Sequence, residues 1–194
     1  MPDAGRVVAG RAGGIRLAAP GPGTRPLADR VKQALFGALE PRIVGARVAD
    51  LFAGSGAAGI EALSRGAASC DFVERDAGAA AAIVENLRRT GLGGASARIH
   101  RADVLRFLAG SSPGSAPWGI VIVDPPYGDP AMLAALERLA RGPLLAPEAI
   151  VVAKHFWKQG PPAVIGRLRQ VRTRRFGETA ITFFEVVDGE AARA

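Results

Sequence analysis

From Arg47 to Lys154 the sequence alternates between two periodicities, and this limits the possible folds more than any other feature of the chain. The runs RVADLF, SCDFVE, ARIHRA, GIVIVD and AIVVAK are short, apolar and rich in residues that suit strands. Segments 57–66, 77–90, 103–110 and 130–141 lie between them and read as helices. Strands joined through helices build a doubly wound, mostly parallel sheet with helices on both faces. The last part of the chain leaves this rhythm. RLRQVRTRRF and TAITFFEVV flank Gly177 and Glu178, so they predict a closing antiparallel pair. The expectation is an α/β fold with a seven-stranded sheet and an antiparallel C-terminal strand.

Residues 6–19, RVVAGRAGGIRLAA, predict a β-hairpin around Ala12, Gly13 and Gly14. The linker PGPGTRP follows, and apolar residues from Leu27 to Leu39 recur at helical spacing, with Thr24 and Pro26 as start signals. Two regions are therefore expected: an N-terminal hairpin and helix over 1–45, and the alternating domain over 46–188. The segment 110–117, GSSPGSAP, reads as a flexible connection, and the tail DGEAARA as frayed.

A chain of 194 residues, 48% hydrophobic, can bury one sizeable core. No apolar run reaches membrane-spanning length and the N-terminus lacks a signal-peptide core, so a cytoplasmic protein is expected. Cys70 is the only cysteine, which excludes a disulfide framework and a multi-cysteine metal site. His100 and His155 are far apart in sequence with no obvious ligand partners, so no metal is expected. The net charge of +7 points toward a polyanionic partner.

Gly54, Gly56 and Gly59 spell G-x-G-x-x-G after the strand RVADLF, and Glu74 follows 20 residues after the first of them. The bare pattern is weak in a chain with 25 glycines, since chance alone produces it with a probability of roughly 0.4. Its placement carries more weight. A glycine turn between a strand and a helix brings backbone N–H groups close to a polar ligand, and a carboxylate closing the next strand can accept both ribose hydroxyls. That suits NAD and S-adenosylmethionine alike. Asp50 separates them, because a carboxylate beside the loop repels a pyrophosphate and attracts a sulfonium and an amino group.

Asp124-Pro125-Pro126-Tyr127 follows the apolar run GIVIV. Asp-Pro-Pro-aromatic has a chance probability of roughly 0.003 at this composition. It falls at the carboxyl end of the fourth strand, where doubly wound sheets bind ligands. The prolines fix φ and remove backbone donors, leaving a rigid set of acceptors. Such acceptors suit an exocyclic amine, whose lone pair must be localised before it can attack, and Tyr127 can stack on an extruded base.

The segments DLFAGSGAAGIEALSRGA, FVERD, ADVLRFL and IVIVDPPY, preceded by RVVAGRAGGIRL and TRPLADRVKQALFGAL, resemble the RsmD family of bacterial methyltransferases, which modify the N2 amine of a guanine in 16S ribosomal RNA. The resemblance runs from Arg6 to about Glu185. It implies a Rossmann-like, class I methyltransferase fold and S-adenosylmethionine as cofactor. Asp50, Phe52, Gly54, Ser55 and Gly56 would line the methionine part of the cofactor, Glu74 its ribose, and Asp103 with Val104 its adenine. Asp124, Pro125, Pro126 and Tyr127 would form the catalytic loop. Asp103 also reads as a helix N-cap. Lys154-His155 departs from a Glu-His pair common in such proteins.

Residues 1–32 carry Arg6, Arg11, Arg16, Arg25, Arg30 and Lys32 against two acids, Asp3 and Asp29. A hairpin with arginines spaced by five can lay guanidinium groups along a phosphate backbone, and these six are the expected RNA-binding residues. The substrate is then 16S ribosomal RNA or an assembling 30S subunit, met by a monomer. Two other readings stand beside this one. Asp-Pro-Pro-Tyr also serves DNA adenine-N6 methyltransferases, and a non-catalytic RNA-binding assembly factor could keep the same fold.

Overall fold

The computed structural model describes residues 3–21, 29–110 and 117–187. Thr24, Arg25 and Pro26, residues 111–116 of the glycine-serine connection, and the tail from 188 lie outside the described residues. The chain divides into two compact units, residues 1–103 and 104–194.

The first unit opens with β1 (Asp3–Arg6) and β2 (Arg16–Ala18), an antiparallel pair in which Arg6 lies opposite Arg16. There follow α1 (Asp29–Ile43), β3 (Arg47–Leu51), α2 (Ala57–Ser64), β4 (Ser69–Glu74), α3 (Ala77–Thr90) and β5 (Ala97–Arg101). Strands β3, β4 and β5 are parallel neighbours in the order β5-β4-β3. Val48, Ala49, Leu51, Cys70, Phe72 and Val73 are buried, the burial on both faces that parallel strands require. Helix α3 starts where Asp76 accepts the Ala79 N–H at 2.8 Å and stops at Gly91, whose φ of 66° closes the last turn.

Helix α2 is buried along its whole length, and its alanines and glycine explain how it fits. A Cβ on Gly59 would stand 2.3 Å from Phe72 Cε1 and 2.6 Å from Cys70 Sγ, so only glycine lets α2 approach β4 this closely. The other side of α2 receives the hairpin. Glu61, fully buried, accepts the Val8 and Ala9 N–H groups at 2.6 and 3.0 Å and the Arg65 Nε–H at 2.7 Å. Ser64 Oγ accepts from Ala12 N–H at 2.9 Å and donates to the Ala9 carbonyl at 2.6 Å. On α3, Asn86 accepts from Ala18 N–H at 2.7 Å and donates to the carbonyls of Ala18 and Ser55, each at 2.9 Å. The hairpin is thus fastened through its backbone, with Arg6, Arg11 and Arg16 left exposed.

The second unit contains α4 (Val104–Gly110), β6 (Trp118–Val123), α5 (Ala131–Arg141), β7 (Leu145–Phe156), β8 (Val164–Ile165), β9 (Leu168–Phe176) and β10 (Thr179–Val186). Its strands lie in the order β6-β7-β10-β9-β8. β6 and β7 are parallel; β10 runs antiparallel to both β7 and β9, and the β9–β10 turn at Gly177 has φ 61°. Helix α5 buries Ala135, Leu136, Leu139 and Ala140, an i, i+1, i+4, i+5 stripe. The architecture is α/β with mostly parallel strands, an antiparallel C-terminal strand and an N-terminal hairpin. Apart from the hairpin, the described residues form eight strands where seven were expected. The extra one, β8, is two residues long, below the length at which an alternating pattern becomes visible.

Candidate functional site

In the first unit the site begins where β3 ends. Phe52 has φ 62°, the one non-glycine residue with positive φ among the described residues, and Gly54 and Gly56 follow at 55° and 76°. A side chain held in this region costs about 1–3 kcal/mol, a strain that recurs at ligand-binding turns. The Gly54 N–H donates to Glu74 Oε2 and the Asp76 N–H to Glu74 Oε1, both at 2.8 Å. One half-buried carboxylate therefore ties the turn after β3 to the turn after β4. A carboxylate has about four acceptor sites, so Glu74 keeps capacity for hydroxyl donors. A Cβ at Gly54 would meet nothing within 4 Å, which marks the open side of the turn. Ser55 is buried, and its carbonyl accepts from Asn86.

Asp50 corrects an expectation. Its carboxylate is 1% exposed, and Oδ2 accepts the Gly59 N–H at 2.8 Å. Helix α2 starts at Gly56 with no side-chain cap, so its first N–H groups need acceptors, and a buried carboxylate needs donors. Asp50 meets both needs through this bond, so it is buried under the turn as a brace for it. Asp103 is half-buried at the N-cap position before α4, and Val104 is buried. The Ala102 N–H donates to the Glu74 carbonyl at 3.1 Å, which fixes the segment leaving β5 against the end of β4.

In the second unit Asp124 follows β6. Val123 pairs with Ala153, so Asp124, just past β6, and Lys154, within β7, stand at the same level of two parallel strands. Lys154 Nζ donates to Asp124 Oδ1 at 2.5 Å, and both side chains are largely covered. Burial raises the Asp124 carboxyl pKa above the ordinary range, and the Lys154 ammonium pulls it back down. Pro125 is buried and Pro126 exposed. Tyr127 is 39% exposed, its hydroxyl 2.5 Å from Thr179 Oγ1 and its ring centroid 5.7 Å from Lys154 Nζ. Asp129 closes the loop by accepting the Ala131 N–H at 2.9 Å as α5 begins.

Lys154 is the residue that sequence reasoning passed over, as a mere departure from a family pattern. The signal was available. IVIVD and IVVAK both end an apolar run on a charge, and parallel register places those two charges, of opposite sign, side by side. The neighbouring His155 is buried and structural. Its Nδ1 lies 2.9 Å from the Phe156 carbonyl, so Nδ1 carries hydrogen, and Nε2 lies 2.8 Å from Thr182 Oγ1, itself 2.9 Å from Thr173 Oγ1. His100 Nε2 is 2.9 Å from Asp71 Oδ1, a carboxylate also held by Arg98. Cys70 is buried, and burial pushes its thiol pKa up, away from reactivity. Among the described residues no group of side chains could hold a metal ion, and no helix is long and apolar enough to cross a membrane.

Of the basic residues expected to hold RNA, Arg6, Arg11, Arg16 and Arg30 are exposed. Arg6 Nε is paired with Asp29 at 3.0 Å. Lys32 is a correction: its side chain is fully buried, its ammonium donates to the Arg6 carbonyl, and Asp29 Oδ1 lies 3.6 Å away. A buried ammonium is retained where it finds acceptors, and Lys32 spends its charge joining α1 to the hairpin. Arg25 lies outside the described residues.

The chain is similar in sequence and fold to known proteins. Residues 5–185 match the family model described as Conserved hypothetical protein 95. The chain is 34% identical over 181 residues to ribosomal RNA small subunit methyltransferase D of Escherichia coli strain K12, covering 93% of this chain and 89% of that protein. A hypothetical protein of Thermus thermophilus has a solved structure that superposes with TM-score 0.79 at 34% identity, covering 93% of this chain and 99% of that one. SMU.776, solved in complex with SAH, shares the fold alone, with TM-score 0.58 and 16% identity over 80% of this chain and 49% of that one.

Proposed function

We propose, on the premise that the chain belongs to the RsmD family, the one described as Conserved hypothetical protein 95, that it methylates the N2 amine of a guanine in 16S ribosomal RNA with S-adenosylmethionine as donor. The observation that carries the reading is the Asp124-Pro125-Pro126-Tyr127 loop, with a largely covered carboxylate beside a half-exposed ring. The related methyltransferase named for ribosomal RNA supports the methyl transfer and the RNA substrate. Guanine N2 is the finer part of the proposal and rests on the family resemblance, since the acceptors of the loop suit any exocyclic amine.

The residues of the first unit, and Val104 next in sequence, fit such a cofactor. Glu74 has acceptor capacity for two ribose hydroxyls. Phe52, Gly54, Ser55 and Gly56 form the turn for the methionine part, braced by Asp50, and Asp103 with Val104 takes the adenine. When bound, S-adenosylmethionine supplies a methyl group on a sulfonium, activated for attack. In the second unit Asp124, ionised at the start, accepts an N–H of the guanine amine and draws its lone pair out of the ring. On accepting a methyl group the amine nitrogen would shed one proton, and Asp124 would take it. Tyr127 stacks on the extruded base, with its hydroxyl fixed by Thr179. Arg6, Arg11, Arg16 and Arg30 position RNA through phosphates, so 1–45 serves as an RNA-binding arm on the 46–188 methyltransferase domain. The protein works in the cytoplasm as a monomer, on 16S RNA or the assembling 30S subunit.

The test is transfer of labelled methyl from S-adenosylmethionine to 16S RNA or 30S particles taken from cells that lack the protein, followed by nucleoside analysis. Label in N2-methylguanine, lowered about 100-fold or more in rate by Asp124→Asn, is the expected result. Label in N6-methyladenine would instead support the DNA-type amino-methyltransferase chemistry. A wild-type protein as inert as the variant would support a non-catalytic assembly factor.

A further inference from the structure

Three aromatic rings lead outward from the Asp124 loop. Tyr127 and Phe156 have ring centroids 6.3 Å apart, and Phe156 and Trp157 6.4 Å apart. The chain has 8 phenylalanines, 2 tryptophans and 1 tyrosine, and it places its only tyrosine and one tryptophan here, 39% and 38% exposed. The fold does not require Trp157 at this point. Its backbone N–H already closes the end of β7 on the Glu178 carbonyl at 3.0 Å, whatever side chain it carries.

The ladder is cationic. Arg175 lies over the indole with its guanidinium carbon 3.5 Å from the ring centroid, and Lys158 Nζ is 5.3 Å from the same centroid. Arg175 Nε donates to the Gly177 carbonyl at 2.8 Å, which holds the guanidinium plane in place and leaves its terminal N–H groups for a phosphate. The one acid in the adjoining turn is the exposed Glu178. Flat rings beside fixed guanidinium and ammonium groups match bases with phosphates between them. An acidic peptide would use the cations and leave the rings uncovered. The spacing of the rings is about twice the rise of roughly 3.4 Å between stacked nucleotides, so a strand laid along them must be unstacked. An extruded target base imposes that same condition on its neighbours.

We propose that Tyr127, Phe156 and Trp157, with Arg175 and Lys158, form a binding track for the single-stranded nucleotides next to the target base. Trp157 and Arg175 hold the flanking nucleotide while Tyr127 holds the target. This inference rests on the reading that the substrate is RNA, and it assigns recognition to residues on β7, β9 and the turns beside them, in addition to the arginines of the hairpin.

The test uses the full chain with Trp118→Phe, which leaves Trp157 as the only tryptophan, titrated with a single-stranded RNA octamer carrying one central guanine. Quenching of Trp157 is expected. Trp157→Ala should weaken octamer binding about ten-fold, measured by anisotropy of labelled RNA, while Trp157→Phe retains most of it and affinity for S-adenosylmethionine does not change. Arg175→Ala should weaken binding and lower its salt dependence. An unquenched Trp157, unaltered octamer affinity in Trp157→Ala, or a response to polyglutamate and not to RNA would overturn the track. The two readings fail differently. If the track is wrong and the methyltransferase reading right, Trp157→Ala methylates 30S particles with unchanged KM. If the methyltransferase reading is wrong and the track right, the octamer still quenches Trp157 but no RNA takes up methyl.

Discussion

Asp124 and Lys154 form a pair whose two members were unequally visible. The aspartate stands out in an improbable four-residue motif, whereas the lysine becomes meaningful only when parallel register sets Val123 beside Ala153. A motif records neighbours in sequence, and an ion pair across two strands is not one. The pair has a testable consequence. Burial raises the Asp124 pKa and Lys154 lowers it. A carboxylate that must be ionised loses its function as pH falls through its pKa, so the acid limb of the activity profile reports that value. Lys154→Met removes the lowering influence, and the acid limb should move to higher pH with the plateau reached later. An acid limb that stays in place in single-turnover rates would show that the pair does not govern Asp124.

At the scale of elements, the alternating strands and helices were legible because each apolar run is long enough to declare its period. The attachment of the hairpin was not. Glu61 lies within an alanine-rich helix where no motif singles it out, yet it is fully buried, with two hairpin N–H groups and Arg65 as donors. Lys32 was misread for the same reason, since composition counts charges without knowing which are enclosed. Glu61→Ala would leave the Val8 and Ala9 N–H groups without their acceptor, at a cost of about 1–3 kcal/mol. The expected outcome is faster amide exchange in residues 7–18 than in β3 and β4; uniform exchange would mean that Ser64, Asn86 and packing hold the hairpin without Glu61. Gly59→Ala drives a methyl into Phe72 and Cys70, whose nearest atoms would stand at 2.3 and 2.6 Å. It should destabilise the protein by about 1–3 kcal/mol, read as a lowered Tm. Gly54→Ala meets open space at φ 55°, so it should weaken cofactor binding more than it lowers Tm.

At the scale of the whole molecule, composition indicated a polyanion and the motifs indicated methyl transfer, but neither located the whole of the surface proposed to receive RNA. The hairpin arginines were visible because they recur at a fixed spacing. The aromatic ladder was not, because Tyr127 lies some 30 residues before Phe156 and Trp157, and Arg175 comes from a third segment. Arg11→Ala with Arg16→Ala should weaken RNA binding and reduce the slope of log affinity against log salt by roughly 1–2, with cofactor affinity unaltered. A loss of cofactor affinity would point to an unfolded hairpin. The central claim, methylation of a guanine amine in small-subunit RNA, is met most directly in cells. Mass spectrometry of 16S RNA nucleosides from a strain lacking the protein should show less N2-methylguanine than the parent, restored by this chain and not by its Asp124→Asn variant. An N2-methylguanine content that is the same in all four strains would contradict the account.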